Sequence, residues 1–366
     1  MGLGVVALLG SGETAPGMTK VHRDLLQNLE QVRAVNLDSA YGFQLNVPQM
    51  TEKLVEYFAT SLNTTLEPLS LPSYDRATAI QRAIFKEGVR SASYVFAGPG
   101  SPSWALDQWS PLGLVDDLHA VAQAGGVLCF ASAAALTLGS HTAPVYEIYK
   151  VGVPQPYWLD GLDLMSRIGL SCAVIPHFDN REGANYDTRY CYLGEPRLRT
   201  LEEQLPDGVA VLGIDEHTAL IIDLDADCLT VRGRGSAYWR VRGDVRTLAK
   251  GTAIPVGDLR HQDATNRVTL ATPVVEESAD ELSILAERAA AGGSDALDAI
   301  AELTRRAVGG GEGRIDPSTL VEALLKVRDD ARGRGQYEIA DGVRAALVDA
   351  GVDVMDGPDG STWALR

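Results

Sequence analysis

The chain has little cysteine: four residues in 366, at positions 129, 172, 191 and 228, with no Cys-x-x-Cys spacing. Paired cysteines mark structural zinc sites, and denser cysteine is typical of small disulfide-stapled secreted domains. The sequence therefore predicts no disulfide framework, no metal and no cofactor. A reducing cytoplasm is the expected location.

Basic charge and long apolar runs are also scarce. Lys and Arg number 32 against 49 Asp and Glu, a formal net charge of -17, which argues against a broad nucleic-acid-binding surface although a local basic groove stays open. No window approaches the roughly 20 apolar residues of a membrane span. The apolar start, Met1 to Gly10, lacks a basic region and a cleavage pattern, so we interpret it as a first strand and not as a signal peptide.

The chain is longer than the roughly 250 to 300 residues at which single cores usually stop growing, so two domains are expected. We predict an α/β domain over 1–250, a linker over 251–275 and a small helical domain over 276–366. Within the last, the pattern predicts helices over 276–308, 320–331 and 338–349, a glycine hinge at 309–313, and a terminal hairpin or turn over 352–363.

In the first domain short apolar runs alternate with amphipathic stretches, which predicts a mostly parallel sheet flanked by helices. The predicted strands are 5–9, 34–37, 94–97, 126–130, 173–176, 209–214 and 219–223. The predicted helices are 50–62, 77–90, 114–124 and 197–204. Loops at the carboxyl ends of such strands converge at one edge of the sheet, where ligand sites gather.

Ser132 stands at the end of an apolar run and before three alanines, 133–135. Small residues around a serine at a strand-to-helix turn are typical of a nucleophile elbow, because the backbone folds tightly there. The same segment is also good helix sequence with a serine N-cap. Taken alone, the segment leaves both interpretations open.

Two later strand ends offer the partners that a serine nucleophile needs. His177 directly follows the strand at 173–176, which predicts that it lies at the same sheet edge as Ser132. Glu216 lies between two apolar strands, where a turn could present its carboxylate inward. A serine is activated by a base and by a group that orients the base. The alternatives are that His177 only caps a strand and that Glu216 belongs to an ordinary acidic turn.

An oxyanion hole needs backbone N–H groups beside the nucleophile. Ala133 supplies one by position, as the residue after Ser132. Pro99 has no N–H, so the neighbouring glycines Gly98 and Gly100 are the candidates for the second donor.

These segments in this order resemble peptidase family S51, the aspartyl dipeptidase and cyanophycinase group. The most specific piece is Gly-Ile-Asp-Glu-x-Thr-Ala at 213–219, and the resemblance covers roughly residues 3–240. It implies a class I glutamine amidotransferase-like α/β fold and a Ser132, His177 and Glu216 triad. The usual motif of the family is Gly-x-Ser-Ala-Gly-Ala, whereas this sequence has Phe130 and Ala134 at the positions of the two glycines.

The resemblance implies a serine peptidase that cleaves a small peptide or related amide through an acyl-enzyme. Asp179, Arg181 and Arg189 follow His177 in a polar loop and are candidates for holding the charged ends of the substrate, since Arg suits a carboxylate and Asp an ammonium. A solvated loop is the alternative. Aromatic stretches at 41–46 and 146–150 are expected to complete the pocket walls or to serve as core.

The tail resembles the C-terminal module of cysteinyl-tRNA synthetases, over about 320–363. The matching text includes Tyr-Glu-Ile-Ala-Asp-Gly-Val-Arg at 337–344 and Gly-Ser-Thr-Trp at 360–363. The resemblance implies a tRNA-binding or protein-binding module without chemistry. With 19 acidic against 10 basic residues over 276–366, a protein partner is favoured over tRNA. A homodimer stays open.

Two other functions compete with the serine hydrolase. An inactive scaffold or binding protein would keep the fold, lose the elbow chemistry and use its C-terminal module to recruit a protein or tRNA. Glutamine hydrolysis by Cys129 is disfavoured, because this residue lies inside the apolar strand, three positions before the turn.

Overall fold

The computed structural model describes residues 2–183, 186–251 and 253–260, six helical positions between 325 and 344, and the strands 352–357 and 360–365. The chain divides into two compact units, Met1–Arg267 and Val268–Arg366.

The first unit is built from short strands and helices in alternation. Its strands are β1 (Val5–Leu9), β2 (Ala34–Leu37), β3 (Leu66–Leu69), β4 (Tyr94–Ala97), β5 (Val127–Ala131), β6 (His141–Thr142), β7 (Leu159–Asp160), β8 (Cys172–Ile175), β9 (Ala210–Ile214), β10 (Thr218–Asp223), β11 (Cys228–Gly233), β12 (Ala237–Val241), β13 (Asp244–Leu248) and β14 (Ala253–Pro255). Its helices are α1 (Pro16–Gln27), α2 (Val47–Leu62), α3 (Ala79–Arg90), α4 (Pro102–Trp109), α5 (Leu114–Gln123), α6 (Ala133–Leu136), α7 (Leu164–Arg167), α8 (Gly194–Gln204) and α9 (Gly257–Arg260).

A large sheet of eight strands forms the centre of this unit, in the order β14-β11-β10-β1-β5-β4-β2-β3. The five strands from β1 to β3 in that order are parallel, and β10, β11 and β14 extend the sheet antiparallel beyond β1. The carboxyl ends of β1 and β5 therefore lie side by side. Leu9 is paired with Ala131, one residue before Ser132.

Both faces of the large sheet are covered, which explains why its central strands are apolar without alternation. In β5, Leu128 and Phe130 face one core, whereas Cys129 and Ala131 face the other. Side chains of α3, α4 and α5 fill the first core, and those of α1 and α2 fill the second. Successive strand residues point to opposite faces, so one residue step changes the core that a side chain enters.

A second sheet of four strands, in the order β13-β12-β9-β8, packs beside the first. Its strands β8 and β9 are parallel to each other. One of its faces contributes Val174, Leu212 and Trp239 to the core that also holds Phe130. Its other face packs on α8 through Ile175 and Leu198.

The prediction of an α/β fold with a mostly parallel sheet flanked by helices is confirmed. All seven predicted strands are present within one residue of their ends. The prediction of one common sheet edge was wrong in one respect, because β8 and β9 belong to the second sheet. Alternating apolar runs predict strands but do not state which sheet each one joins. Residues 253–260, inside the predicted linker, form β14 and α9, and β14 pairs with β11.

In the second unit the described residues include an antiparallel hairpin of β15 (Val352–Gly357) and β16 (Gly360–Leu365), the first of the two structures predicted there. Described positions inside the predicted helices 320–331 and 338–349 are helical. The predicted helix 276–308 and hinge 309–313 lie outside the described residues. Over the part of the chain that is described, no helix is long and apolar enough to span a membrane.

Candidate active site

Ser132 ends β5 in a strained turn. Its φ of 52° and ψ of -122° form a backbone conformation that costs a residue with a side chain about 1–3 kcal/mol. Its N–H donates to the carbonyl of Leu9 at 3.0 Å and ties the turn to β1. Ser132 occupies the N-cap position of α6, yet its side chain caps no N–H among the described residues. The turn therefore has the geometry of a nucleophile elbow.

The hydroxyl of Ser132 faces His177, which follows β8. Nε2 of His177 lies 2.9 Å from Oγ of Ser132, and Nδ1 lies 2.7 Å from Oε1 of Glu216. A carboxylate only accepts hydrogen bonds, so in the neutral ring Nδ1 carries the proton and Nε2 presents its lone pair to the serine hydroxyl. The N–H of His177 also donates to the carbonyl of Gly10 at 3.3 Å, beside the serine turn.

Glu216 lies in the three-residue link between β9 of the second sheet and β10 of the large sheet. The hydrogen bond from His177 lowers the pKa of its carboxyl, against the opposing effect of burial, and Nδ2 of Asn180 donates to the same oxygen at 3.0 Å. Glu216 is therefore ionised at neutral pH. An ionised carboxylate is what holds a histidine ring in one tautomer and stabilises the ring when it is charged.

Two aspartates hold this link in place. Oδ1 of Asp179 accepts the N–H of Glu216 at 2.7 Å. Asp215 is buried and accepts from the N–H of Ser236 at 2.8 Å and from the hydroxyl of Tyr238 at 3.0 Å. Burial raises the pKa of Asp215 to about 6, and the nearby charge of Asp179 adds to that rise.

Backbone N–H groups that could stabilise an oxyanion lie beside Ser132. Ala133 is the first residue of α6, where an N–H has no partner inside the helix. Gly100 lies in the wall of the same cavity. A Cβ at Gly100 would lie 1.9 Å from the carbonyl oxygen of Ala40, so only glycine fits there. Gly98 is buried, and its carbonyl accepts the N–H of Ala134 at 3.4 Å. Of the two predicted glycines, Gly100 is the one at the cavity.

A cavity of about 280 Å³ opens at Ser132. Its wall consists of Gly100, Ser132, Ala133, Leu136, Val145, Tyr146, Tyr149, Lys150, His177, Cys191 and Tyr192. A larger open depression, about 620 Å³, is lined by Arg199, Glu202, Glu203, Arg242 and Gly243 and includes none of the three residues of the hydrogen-bonded chain. The hydrogen-bonded chain therefore lies at the smaller cavity.

One wall of the cavity is a π-helical turn, Glu147–Val151. Such turns are rare and are found frequently at functional sites. The ring of Tyr149 stacks on that of Tyr192, with centroids 5.1 Å apart, and Nζ of Lys150 lies 5.0 Å from the Tyr149 centroid. This wall overlaps the 146–150 stretch, which was expected either to line the pocket or to serve as core.

Tyr192 reaches the cavity through an unusual turn. Residues Tyr190, Cys191 and Tyr192 have φ of 61°, 55° and 66°, three left-handed residues in succession. Each such residue with a side chain costs about 1–2 kcal/mol. The N–H groups of Cys191 and Tyr190 donate to the carbonyls of His177 and Phe178 at 3.1 and 3.0 Å. The strained turn is thus fastened to the histidine segment itself.

Phe130 and Ala134, the two departures from the S51 pattern, do not obstruct the turn at Ser132. The side chain of Phe130 points into the core of the large sheet, where its ring meets that of Trp109 edge-on at 6.1 Å. Ala134 is buried in the same core. Cys129 points to the opposite face of β5, away from the cavity, and burial raises the pKa of its thiol to about 12. A thiol of that kind is protonated and does not act as a nucleophile.

The predicted substrate-binding residues lie away from the described cavity wall. Asp179 supports Glu216, as described above. Arg189 forms a two-point ion pair with Asp187, at 2.8 Å for both contacts, and covers the ring of Tyr190. Arg181 is exposed. Asn180 and Tyr192 were not predicted as site residues, although the position of Asn180 three residues after His177 was a usable signal. Within the described ranges, no three His, Cys, Asp or Glu side chains form a cluster suited to a metal ion.

Comparison with solved structures bears on the fold. A peptidase from an acI-B1 Actinobacterium superposes with a TM-score of 0.56 at 21% identity, over 69% of this chain and 97% of that one. A putative peptidase E protein from Listeria monocytogenes EGD-e gives a TM-score of 0.43 at 14% identity, over 64% of this chain and 100% of that one. The chain therefore shares with the actinobacterial peptidase an α/β fold with a mainly parallel central sheet flanked by helices.

Comparison of sequences finds a different relative for a short segment. Cysteine–tRNA ligase of Yersinia pseudotuberculosis serotype O:3 is 42% identical over 58 residues, which are 16% of this chain and 13% of the ligase. That of Salinibacter ruber is 38% identical over 68 residues, 18% and 13% of the two chains. The partial resemblance to cysteinyl-tRNA synthetases is confirmed, and the chain spans only a small part of these relatives. No protein-family model matches the chain.

Proposed function

We propose that this protein is a serine hydrolase that cleaves a small peptide or a related amide through an acyl-enzyme. The observation that carries the proposal is the continuous hydrogen-bonded chain from Ser132 through His177 to Glu216, at 2.9 and 2.7 Å, on the wall of a cavity. Nucleophile, base and orienting carboxylate within hydrogen-bond reach are the arrangement that activates a serine.

In the first half of the reaction, Oγ of Ser132 attacks the carbonyl carbon while Nε2 of His177 takes the hydroxyl proton. The developing oxyanion accepts hydrogen bonds from the N–H groups of Ala133 and Gly100. His177, now charged and paired with Glu216, returns the proton to the leaving amine as the C–N bond breaks. The acyl group remains as an ester on Ser132.

In the second half, a water molecule loses a proton to His177 and attacks the ester carbonyl. The carbon–Oγ bond then breaks, and His177 returns that proton to Ser132. The products are a carboxylic acid and an amine, and the enzyme is regenerated. The cavity volume of about 280 Å³ favours a short substrate, because it is slightly below the roughly 300–1,000 Å³ that is typical of small-molecule sites.

A fluorophosphonate probe tests the proposal, since it forms a bond only with an activated serine. We expect labelling of the wild type and loss of labelling in Ser132→Ala. Ser166→Ala, at an exposed serine of α7, is the matched control and should label like the wild type. Equal labelling of the wild type and Ser132→Ala would contradict the proposal, and an absence of labelling in all three would favour the inactive scaffold.

For the C-terminal unit we propose a separate role in recruiting a partner. The segment shared with cysteine–tRNA ligases supports tRNA as one candidate, and the acidic balance of residues 276–366 supports a protein instead. Binding of bulk tRNA to the full chain at moderate salt decides between them. Retention no greater than that of an unrelated acidic protein would exclude the tRNA version.

A further inference from the structure

The cavity at Ser132 has an uneven charge. Lys150 is its cationic wall residue, while aspartate and glutamate side chains are absent from the wall as described. Lys150 is exposed, and no carboxylate among the described residues forms an ion pair with it. An unneutralised ammonium in the wall of the cavity that also holds Ser132 is suited to an anionic group of a ligand.

The aromatic contacts show on which side of the cavity this ammonium lies. The ring centroids of His177 and Tyr192 lie 6.5 Å apart, and those of Tyr192 and Tyr149 lie 5.1 Å apart. Nζ of Lys150 lies 5.0 Å from the Tyr149 centroid. Lys150 therefore continues the wall that begins at the general base. In an acyl transfer the base returns its proton to the leaving amine, so the leaving group occupies the side of the nucleophile that faces the base.

Resting on the proposed serine hydrolysis, we propose that Lys150 binds the terminal carboxylate of the leaving group, with Tyr149 and Tyr192 as the surface on which that group lies. The preferred substrate is then a short peptide with a free C-terminus that is released as the amine product. The stacked tyrosines offer apolar faces to the leaving residue, and the ammonium provides the charge that fixes its end.

The expected size of the effect follows from exposure. An exposed ammonium is hydrated, and exposed ion pairs contribute at most about 1 kcal/mol. The free carboxylate should therefore improve kcat/KM by up to about fivefold over an uncharged end. The preference should weaken as salt is added, because screening acts on exposed charges.

The experiment uses the full chain and pools of dipeptides and tripeptides made twice, once with a free carboxylate and once with a C-terminal amide. Product release is followed by mass spectrometry. We expect the wild type to prefer the carboxylate form by up to about fivefold and Lys150→Gln to lose most of that preference, mainly through a higher KM. Lys150→Arg should restore it. Lys53→Gln, at an exposed lysine of α2, changes the net charge equally and should keep it.

The outcomes separate this inference from the function on which it rests. Hydrolysis of both pools at equal rates by the wild type, or an equal preference in wild type and Lys150→Gln, would overturn the role of Lys150 and leave the serine hydrolase standing. Absence of hydrolysis together with absence of fluorophosphonate labelling would overturn the hydrolase itself. A preference that Lys53→Gln also loses would reflect overall charge and refute a specific site.

Discussion

We expect acid to weaken the α/β unit through His22, a histidine of α1 with no exposed surface. Its Nε2 lies 2.8 Å from the carbonyl oxygen of Glu13, and its Nδ1 lies 2.7 Å from the hydroxyl of Tyr94. A carbonyl only accepts, so Nε2 carries the proton and Nδ1 accepts from the tyrosine. The neutral ring is thus satisfied at both nitrogens, and a second proton would have to enter at Nδ1 in the core.

Burial is the main cause that lowers the pKa of His22, from 6.5 to about 4, against an opposing effect of the Glu13 carbonyl. The folded state therefore binds a proton less readily than the unfolded state. The stabilisation that results is complete above pH 6.5 and is lost as the pH falls to about 4. At 1.36 kcal/mol per pKa unit, the loss is about 3 kcal/mol over the whole window, and about 2.5 kcal/mol by pH 4.5.

Asp215 acts in the opposite direction in the same window. Its pKa is raised from 3.8 to about 6, so its contribution to stability falls as the pH rises between these values and is regained in acid. The two groups partly cancel in the wild type. A pH profile of the wild type alone would therefore hide the effect of His22, and the comparison with a variant is needed.

The measurement is urea unfolding at pH 7.5 and pH 4.5 for the wild type and His22→Gln, followed by tryptophan fluorescence. Four of the five tryptophans lie in the α/β unit, so the signal reports on that unit. We expect the wild type to lose about 2.5 kcal/mol more than the variant between the two pH values. Parallel losses in the two proteins would refute the reasoning, because they would show that His22 does not remain neutral in the core.

Four further substitutions probe the site and its support. Glu216→Gln should lower kcat by about 10²- to 10⁴-fold in a peptide assay, because an amide does not stabilise the charged His177 ring. Asn180→Ala should lower kcat only about tenfold. An equal loss of kcat in the two variants would contradict their different roles. Phe130→Ala should destabilise the α/β unit by about 3–5 kcal/mol in urea unfolding, because it empties the space against Trp109, and a loss below about 1 kcal/mol would show that the ring is not packed. Gly100→Ala should slow fluorophosphonate labelling severalfold, since the added Cβ collides with backbone, and unchanged labelling would exclude this loop from the oxyanion site.

The sequence predicts those parts of the site that local pattern determines. Ser132, His177 and Glu216 each follow or precede an apolar strand, and strand ends are readable from apolar runs. A serine, a histidine and a glutamate at these strand ends then predict a nucleophile, a base and an orienting carboxylate. The structure brings these three together at hydrogen-bond distances. Short strands within parallel α/β patterns were likewise predictable to within about a residue.

What the sequence did not predict depends on long-range contacts. Asp179 and Arg189 are typical of substrate-binding residues by type, but the fold engages Asp179 with a backbone N–H and Arg189 with a neighbouring aspartate. The stretch 146–150, which contains Lys150, was expected at the pocket or in the core, but Tyr192, 42 positions after Lys150, meets the same cavity through a left-handed turn. The left-handed turn has no sequence signature, because it is held by hydrogen bonds to the carbonyls of His177 and Phe178.

The division of the candidate site between two sheets has a consequence for how the protein matures. The strand that carries Ser132 belongs to the large sheet, whereas the base follows a strand of the second sheet and lies 45 positions later in the chain. Glu216 follows another 39 positions on, at the crossing from one sheet to the other. During synthesis Ser132 therefore leaves the ribosome before His177 and Glu216. The hydrogen-bonded chain of these three residues forms only once both sheets are present.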